Sequence, residues 1–88
     1  MQGKKIGIID HYYSKIGVAV LKLKNGNLKI GDKIKIADQQ GNELFEQEVT
    51  SMQIDGKDVQ EVNKGDDFGM KVDQKVKEEY EVHKVKEE

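Results

Sequence analysis

A Gly-Asp pair occurs twice in this chain, and each copy comes just before a run of alternating apolar residues. The pairs are Gly31-Asp32, within LKIGDKIKI (28–36), and Gly65-Asp66, within VNKGDDFGM (62–70). When the two stretches are aligned on their glycines, the apolar positions coincide as well. Glycine permits a tight reversal, and the following Asp side chain accepts a backbone hydrogen bond that fixes the turn. The repeat therefore predicts two structural turns of one kind rather than a metal or ligand site.

Period-two alternation of apolar and polar residues dominates the sequence, and helical periodicity is scarce. Glycine turns, such as the one at Asn25-Gly26, separate the alternating runs. An 88-residue chain has room for one domain. We therefore predict an all-β fold, a small β-barrel of six or seven strands in a single domain, residues 1–88. The core is expected at about 5–85, with a frayed tail at 86–88.

Several details of the strands follow from the same pattern. Ile6 and Ile8 are expected on one face of a first strand, and residues 16–23 read as a second strand that is apolar on both faces. The apolar phase changes within 43–54, which predicts a bulge near residues 50–51. Residues 74–85 fit either a helix or a strand, and we favour a strand over 80–85. The expected core includes Val18, Val20, Leu21, Ile34, Phe68 and Met70.

Composition limits the chemistry available to the chain. It has no cysteine, which excludes disulfides and thiolate metal sites. No apolar run has the length of a signal peptide or reaches the roughly 20 residues of a membrane helix, so we expect a cytoplasmic protein without a membrane partner.

The charges are unevenly distributed along the chain. Residues 1–36 contain eight Lys and two Asp, a net charge of +6, whereas residues 37–88 contain seven Lys and fifteen acidic residues, a net charge of −8. A barrel that folds the two halves together would cancel much of this difference. All the basic residues are Lys, and the absence of Arg disfavours sequence-specific reading of bases.

The order of these motifs resembles the second domain of the elongation factor Tu class of translational GTPases. That domain is a small Greek-key barrel. The resemblance implies that this chain forms a barrel of the same kind. The matching segments are 17–23, 28–36, 49–54 and 65–72. A closer likeness, carried by HYYSKIGVA (11–19) and TSMQ (50–53), is to the small C-terminal barrel of collagenase-like peptidases. The chain departs from such barrels at Glu78-Glu79, where they tend to carry a further Gly-Asp pair.

The resemblance implies a binding module rather than an enzyme. The phosphate-binding loop of the GTPases, G-x-x-x-x-G-K-[ST], is absent, so we expect no nucleotide and no other cofactor. The catalytic part of a collagenase-like peptidase would have to lie on another chain. Two hypotheses follow: association with RNA or a ribonucleoprotein, since some members of that group are linked to RNA modification, or protein docking on a separately encoded enzyme such as a collagenase-like peptidase.

The stretch DHYYSK (10–15) is the strongest candidate for a nucleic-acid interface. Adjacent tyrosines on a strand point to opposite faces, so one of the two is expected in the core and the other in solvent. An exposed tyrosine beside lysines would stack on bases and attract phosphate. The predicted interface consists of His11, Tyr12, Tyr13, Lys15, Lys22 and Lys24, on two strands that we expect to pair.

Neither a catalytic nor a metal site is predicted. Asp10, His11 and Ser14 lie too close together on one strand to form a catalytic triad. His11 and His83 would meet only across a barrel seam, and two solvent-exposed histidines are the simpler interpretation.

Overall fold

The structure, a computed structural model, describes residues 3–85, and all regular elements within that range are β-strands. All the strand pairings are antiparallel. The all-β prediction is confirmed; six or seven strands were predicted, and the described residues form ten, of which six have five or more residues and four have two or three. The strands are β1 (Gly3–Tyr13), β2 (Val18–Leu23), β3 (Asn27–Lys29), β4 (Lys33–Ala37), β5 (Glu43–Glu48), β6 (Met52–Ile54), β7 (Lys57–Asp58), β8 (Glu61–Asn63), β9 (Asp67–Lys71) and β10 (Glu81–Val85).

Eight strands form one curved sheet in the order β5-β4-β10-β1-β2-β9-β6-β7, and β3 and β8 form a separate two-stranded ribbon. The last strand, β10, lies between β1 and β4, so neighbours in the sheet are distant in sequence, as in Greek-key barrels. The strand predicted over 80–85 is confirmed as β10. The predicted frayed tail, 86–88, lies outside the described residues.

The two Gly-Asp turns have the predicted architecture. Gly31 and Gly65 have φ angles of 96° and 95°, in the left-handed region that favours glycine. Oδ2 of Asp32 accepts a hydrogen bond of 2.9 Å from the backbone N of Lys29, and Oδ2 of Asp66 accepts one of 2.8 Å from the backbone N of Asn63. These aspartates are therefore structural. Gly26, in the third predicted turn, also has a positive φ of 67°.

The core lies between the inward faces of the strands and includes Leu21, Ile34, Phe68 and Met70, as predicted. The prediction that Val18 and Val20 belong to it is wrong, because both are only half-buried. Successive side chains of a strand alternate between its faces, and β2 turns the other phase inward. Ala19, Leu21 and Leu23 occupy that phase and are each no more than 1% exposed.

The residues of β1 that face the core also differ from those predicted. Ile6 is buried as expected, but Ile9, rather than Ile8, is the second core residue. The reason is an irregularity of register between Lys5 and Gly7, which moves the side chains after it to the opposite face. A second irregularity, between Ile9 and His11, changes the face again, so that Tyr12 packs against the core. Gly7 permits the close approach of β2, because a Cβ at this position would clash with the backbone O of Lys22.

The predicted bulge near residues 50–51 is a break between two strands. β5 ends at Glu48 and pairs with β4, whereas β6 begins at Met52 and pairs with β9 and β7. The chain thus changes partner where the apolar phase changes.

A buried glutamine connects the open edge of β5 to the end of β9. Gln47 is 6% exposed, and its Nε2 donates a 2.9 Å hydrogen bond to the backbone O of Lys71. Its Oε1 accepts a 2.8 Å bond from the backbone N of Asp73. The side-chain amide therefore makes the two bonds that a paired peptide group would make, and it links strands that are not neighbours in the sheet.

Candidate interaction surface

The β1–β2 hairpin carries the residues predicted to form a nucleic-acid interface. Its register pairs His11 with Val20, Tyr13 with Val18, and Ile8 with Lys22, so the expected pairing of the two strands is confirmed. Lys15 lies in the turn between the strands, and Lys24 follows the end of β2. The predicted residues therefore extend along the whole hairpin.

The two tyrosines point in opposite directions, as expected. Tyr12 is half-buried and packs against the core, whereas Tyr13 is 50% exposed. The rings of Tyr13 and His11 meet edge to face, with centroids 4.3 Å apart and planes at 64°. On its other side, Nδ1 of His11 lies 3.3 Å from Oε2 of Glu78. The outward aromatic pair is thus held in place by contacts on both sides.

Of the three lysines of the predicted interface, Lys15 lies in the turn beside these rings, whereas Lys22 and Lys24 do not. Lys22 lies four residues along β2 from Val18, the partner of Tyr13, which is about 13 Å at 3.3 Å per residue. On its other side, Lys22 pairs in the sheet with the acidic Asp67. The hairpin therefore has an aromatic end that includes Lys15, and a second end with Lys22 and Lys24. The nucleic-acid interface stays a prediction.

The fold brings the basic first half of the chain against the acidic second half. Within residues 3–85, three lysine–carboxylate ion pairs join the two halves: Lys5 Nζ to Glu81 Oε2 at 3.5 Å, Lys35 Nζ to Glu43 Oε2 at 3.3 Å, and Lys84 Nζ to Asp32 Oδ2 at 3.3 Å. The opposite charges are thus interleaved on the barrel, and this reduces the field that either half would produce alone.

An exposed isoleucine is the feature that sequence reasoning missed. Ile16 was expected to begin a strand on the same face as Val18, but it lies in the turn before β2 and is 63% exposed. The turn is fixed by backbone hydrogen bonds to the O of Tyr13 from the N of Ile16, at 3.3 Å, and from the N of Gly17, at 2.9 Å. The signal available in the sequence was Ser14-Lys15, a polar pair that interrupts the alternation.

The two histidines lie far apart. His83 pairs with Lys5, six residues along β1 from His11, which corresponds to about 20 Å. Nε2 of His83 lies 3.0 Å from Oε1 of Glu81. That hydrogen bond, together with the charge of Lys5, lowers the pKa of Glu81 from its ordinary value. Within residues 3–85 there is no group of three or more His, Cys, Asp or Glu residues arranged to hold a metal ion.

The polar motif around residues 50–51 lines a small cleft. Its volume is about 180 Å³, below the roughly 300–1,000 Å³ of typical ligand pockets. The cleft residues are Ile30, Thr50, Ser51, Met52, Asp58, Val59 and Gln60. In the described part of the chain, no helix is long and apolar enough to cross a membrane.

The fold and the surface define a small all-β barrel domain. No protein-family model matches the chain. It is 39% identical over 83 residues to an uncharacterized protease of Methanocaldococcus jannaschii, a match that covers 94% of this chain and 20% of that protein. The chain thus spans about one fifth of the length of this curated relative.

Two solved structures of one domain share the fold. Both are of the C-terminal domain of a Geobacillus thermoleovorans protein assigned to the U32 peptidases, the collagenase-like family. One, with selenomethionine, has a TM-score of 0.81, 16% identity, and coverage of 91% of this chain and 98% of the other. The second has a TM-score of 0.83, 16% identity, and coverage of 94% and 93%. The likeness to the collagenase-like barrel is confirmed at the level of fold, and the likeness to elongation factor Tu stays a prediction.

Proposed function

We propose that this chain is a non-catalytic barrel domain of the U32 peptidase type, and that it works by docking on the catalytic body of such a peptidase. The observation that carries the proposal is the 39% identity to a protease over 94% of this chain. The match occupies one fifth of that protein. In the relative, the region similar to this chain therefore occurs together with a much larger remainder.

The fold supports the same assignment. The structural neighbours are C-terminal domains of a peptidase, solved as isolated units of nearly the same extent as this chain. Domains that occur together in one chain commonly form interfaces of 600–1,500 Å². Docking on the remainder of the enzyme is therefore the simplest role for a barrel of this size.

The side-chain chemistry supports a role in binding rather than turnover. The hydrogen-bond partner of the His11 ring is Glu78, whereas Asp10 and Ser14 are near it only along the sequence. The carboxyl groups of Glu81, Asp32 and Glu43 are engaged in ion pairs. We therefore expect the isolated chain to cleave neither gelatin nor casein.

The experiment is calorimetry on a chimera in which the matched region of the M. jannaschii protease is replaced by this chain. Docking couples the unfolding of two domains, so the barrel should melt in the chimera at a higher temperature than alone, with part of its transition merged into that of the body. A barrel transition at the same temperature in the chimera and in the isolated chain would contradict docking.

A further inference from the structure

We infer that the barrel docks through the aromatic end of its β1–β2 hairpin, and that the occupant of this surface is the body of a U32-type peptidase. The surface consists of His11, Tyr13, Ile16, Val18 and Val20, and is called the hairpin face below. The inference rests on the proposed function and adds to it the location and chemistry of the contact.

Two exposed anchors define the hairpin face. Among residues 3–85 the large hydrophobic side chains that are exposed are Tyr13 at 50%, Ile16 at 63% and Leu44 at 44%. Tyr13 and Ile16 belong to one turn and are joined by a backbone hydrogen bond, whereas Leu44 lies on β5 at the edge of the sheet. Isolated exposed apolar residues are ordinary, whereas Tyr13 and Ile16 are exposed together on one fixed turn, and tyrosine is among the residues enriched in binding hot spots.

The apolar surface continues from these anchors along the outer face of β2. Val18 and Val20 point away from the core and are half-buried. The partner of Val20 on β9 is Gly69, which has no side chain to cover it. A strand that is apolar on both faces is typical of sheets covered on both sides. The barrel covers the inner face of β2, and a docked protein would cover the outer one.

The hairpin face is also preorganised. The edge-to-face contact with His11, and the hydrogen bond from His11 to Glu78, restrict the ring of Tyr13 before any partner binds. A side chain ordered in advance loses less entropy on association. The matching surface should offer an apolar pocket for Ile16, a hydrogen-bond acceptor for the Tyr13 hydroxyl, and a carboxylate near Lys15.

The size of the patch favours a tethered partner over a second copy of the chain. The exposed parts of Tyr13 and Ile16 amount to roughly 100 Å² each, against about 800 Å² per partner in a standard interface. In the M. jannaschii relative, the matched region and the remaining four fifths are on one chain. In that arrangement tethering raises the effective concentration to the millimolar range, so a contact smaller than a standard interface can still form.

The test is amide hydrogen exchange of the chimera with the M. jannaschii protease, compared with the isolated chain. The backbone N–H groups of Ser14 and Lys15 make no hydrogen bond within the described residues, so they exchange rapidly when the turn is free. In the chimera, we expect their exchange to slow at least tenfold. Ile16→Glu should restore fast exchange, with Ile16→Ser as a second variant, while Leu44→Glu, a matched change at another exposed aliphatic residue, should leave the slowing intact.

The outcomes separate this inference from the proposed function. Slowed exchange confined to other strands, or slowing that survives both substitutions at Ile16, would overturn the hairpin face but not docking. No slowing anywhere on the barrel would overturn both. A dimer of the isolated chain that depends on Ile16, detected by sedimentation, would overturn the inference and show that the hairpin face binds a second copy of the chain. Protection that requires added RNA, and is lost in a Lys15→Glu, Lys22→Glu, Lys24→Glu variant, would overturn it in favour of a nucleic-acid interface.

Discussion

Leu28 and Val62 face each other across the antiparallel β3–β8 ribbon, and they occupy equivalent positions, 34 residues apart, in the two Gly-Asp repeats. A rotation that exchanges these two residues also exchanges the pairs on either side. The register pairs Asn27 with Asn63, Leu28 with Val62, and Lys29 with Glu61. The ribbon therefore lies on a local pseudo-twofold axis, and the repeat in the sequence is a repeat in the structure.

Pseudo-symmetry predicts similar costs for equivalent changes in the two turns. Gly31→Val and Gly65→Val each place a β-branched residue at a φ near 95°, which should destabilise the protein by about 1–3 kcal/mol. Urea denaturation of both variants measures the cost, with Lys64→Val, at an exposed neighbouring position, as the control. Denaturation midpoints equal to that of the parent would refute the structural interpretation of the repeat.

Phe68 should be the most sensitive core position on β9. It is 2% exposed, and its pair partner in the sheet is the buried Leu21. Phe68→Ala should cost about 3–5 kcal/mol through lost burial and a residual cavity, a large part of the stability of so small a domain. Val20→Ala, on the outer face of β2, should cost less than about 1.5 kcal/mol. Comparable losses of unfolding free energy would mean that β2 and β9 have been assigned the wrong faces.

Gln47 provides a test that depends on pH. In a Gln47→Glu variant, a carboxylate oxygen would replace the amide nitrogen that donates to the Lys71 carbonyl. At pH 7 we expect the free energy of unfolding to fall by about 2–3 kcal/mol. Burial and the lost donor should raise the folded-state pKa of the new carboxyl above its unfolded value. The loss of unfolding free energy should therefore be largest at pH values above the folded-state pKa. It should decrease as the pH falls through that pKa, because the protonated acid again donates a hydrogen bond.

Unfolding in urea at pH 7 and pH 4.5 distinguishes this behaviour from a simple packing defect. Gln60→Glu, at an exposed position, is the matched control and should show little cost at either pH. A Gln47→Glu cost that is independent of pH would show that the two hydrogen bonds do not hold the edge of β5 to the end of β9.

Glu81 should titrate below the ordinary range for glutamate because of its hydrogen bond with His83 and the nearby charge of Lys5. Since its folded-state pKa is lowered, its contribution to stability is present above the unfolded pKa of about 4.3, and is lost as the pH falls through the folded value. His83→Ala should raise the pKa of Glu81, measured by NMR titration of its carboxyl carbon. His11→Ala is the control, and an equal shift in both variants would exclude the local hydrogen bond as the cause.

Local rules predicted those parts of the fold that depend on single turns and clear alternation. The Gly-Asp pairs required a left-handed glycine followed by a hydrogen-bond acceptor, and the adjacent tyrosines had to divide between the two faces of a strand. These features involve a few consecutive residues, so sequence is sufficient to identify them.

Features that depend on the partner of a strand were not predictable in this way. β2 is apolar on both faces, so its pattern does not say which face is inward, and the faces of Val18 and Val20 were assigned wrongly. The irregularities in β1 reflect its fit to both β2 and β10. Gln47 is polar at an inward position because its partners are backbone groups from a segment more than twenty residues away.

A photocrosslink from the hairpin face tests the docking account most directly. In the chimera with the M. jannaschii protease, a benzophenone amino acid at position 16 should form crosslinks to peptides of the protease body, identified by mass spectrometry, whereas the same group at position 44 should not. Position 44 is the matched control because both native side chains are large, aliphatic and exposed. The account predicts body peptides attached to position 16 alone. Crosslinks from position 44 alone, or from neither position, would contradict it.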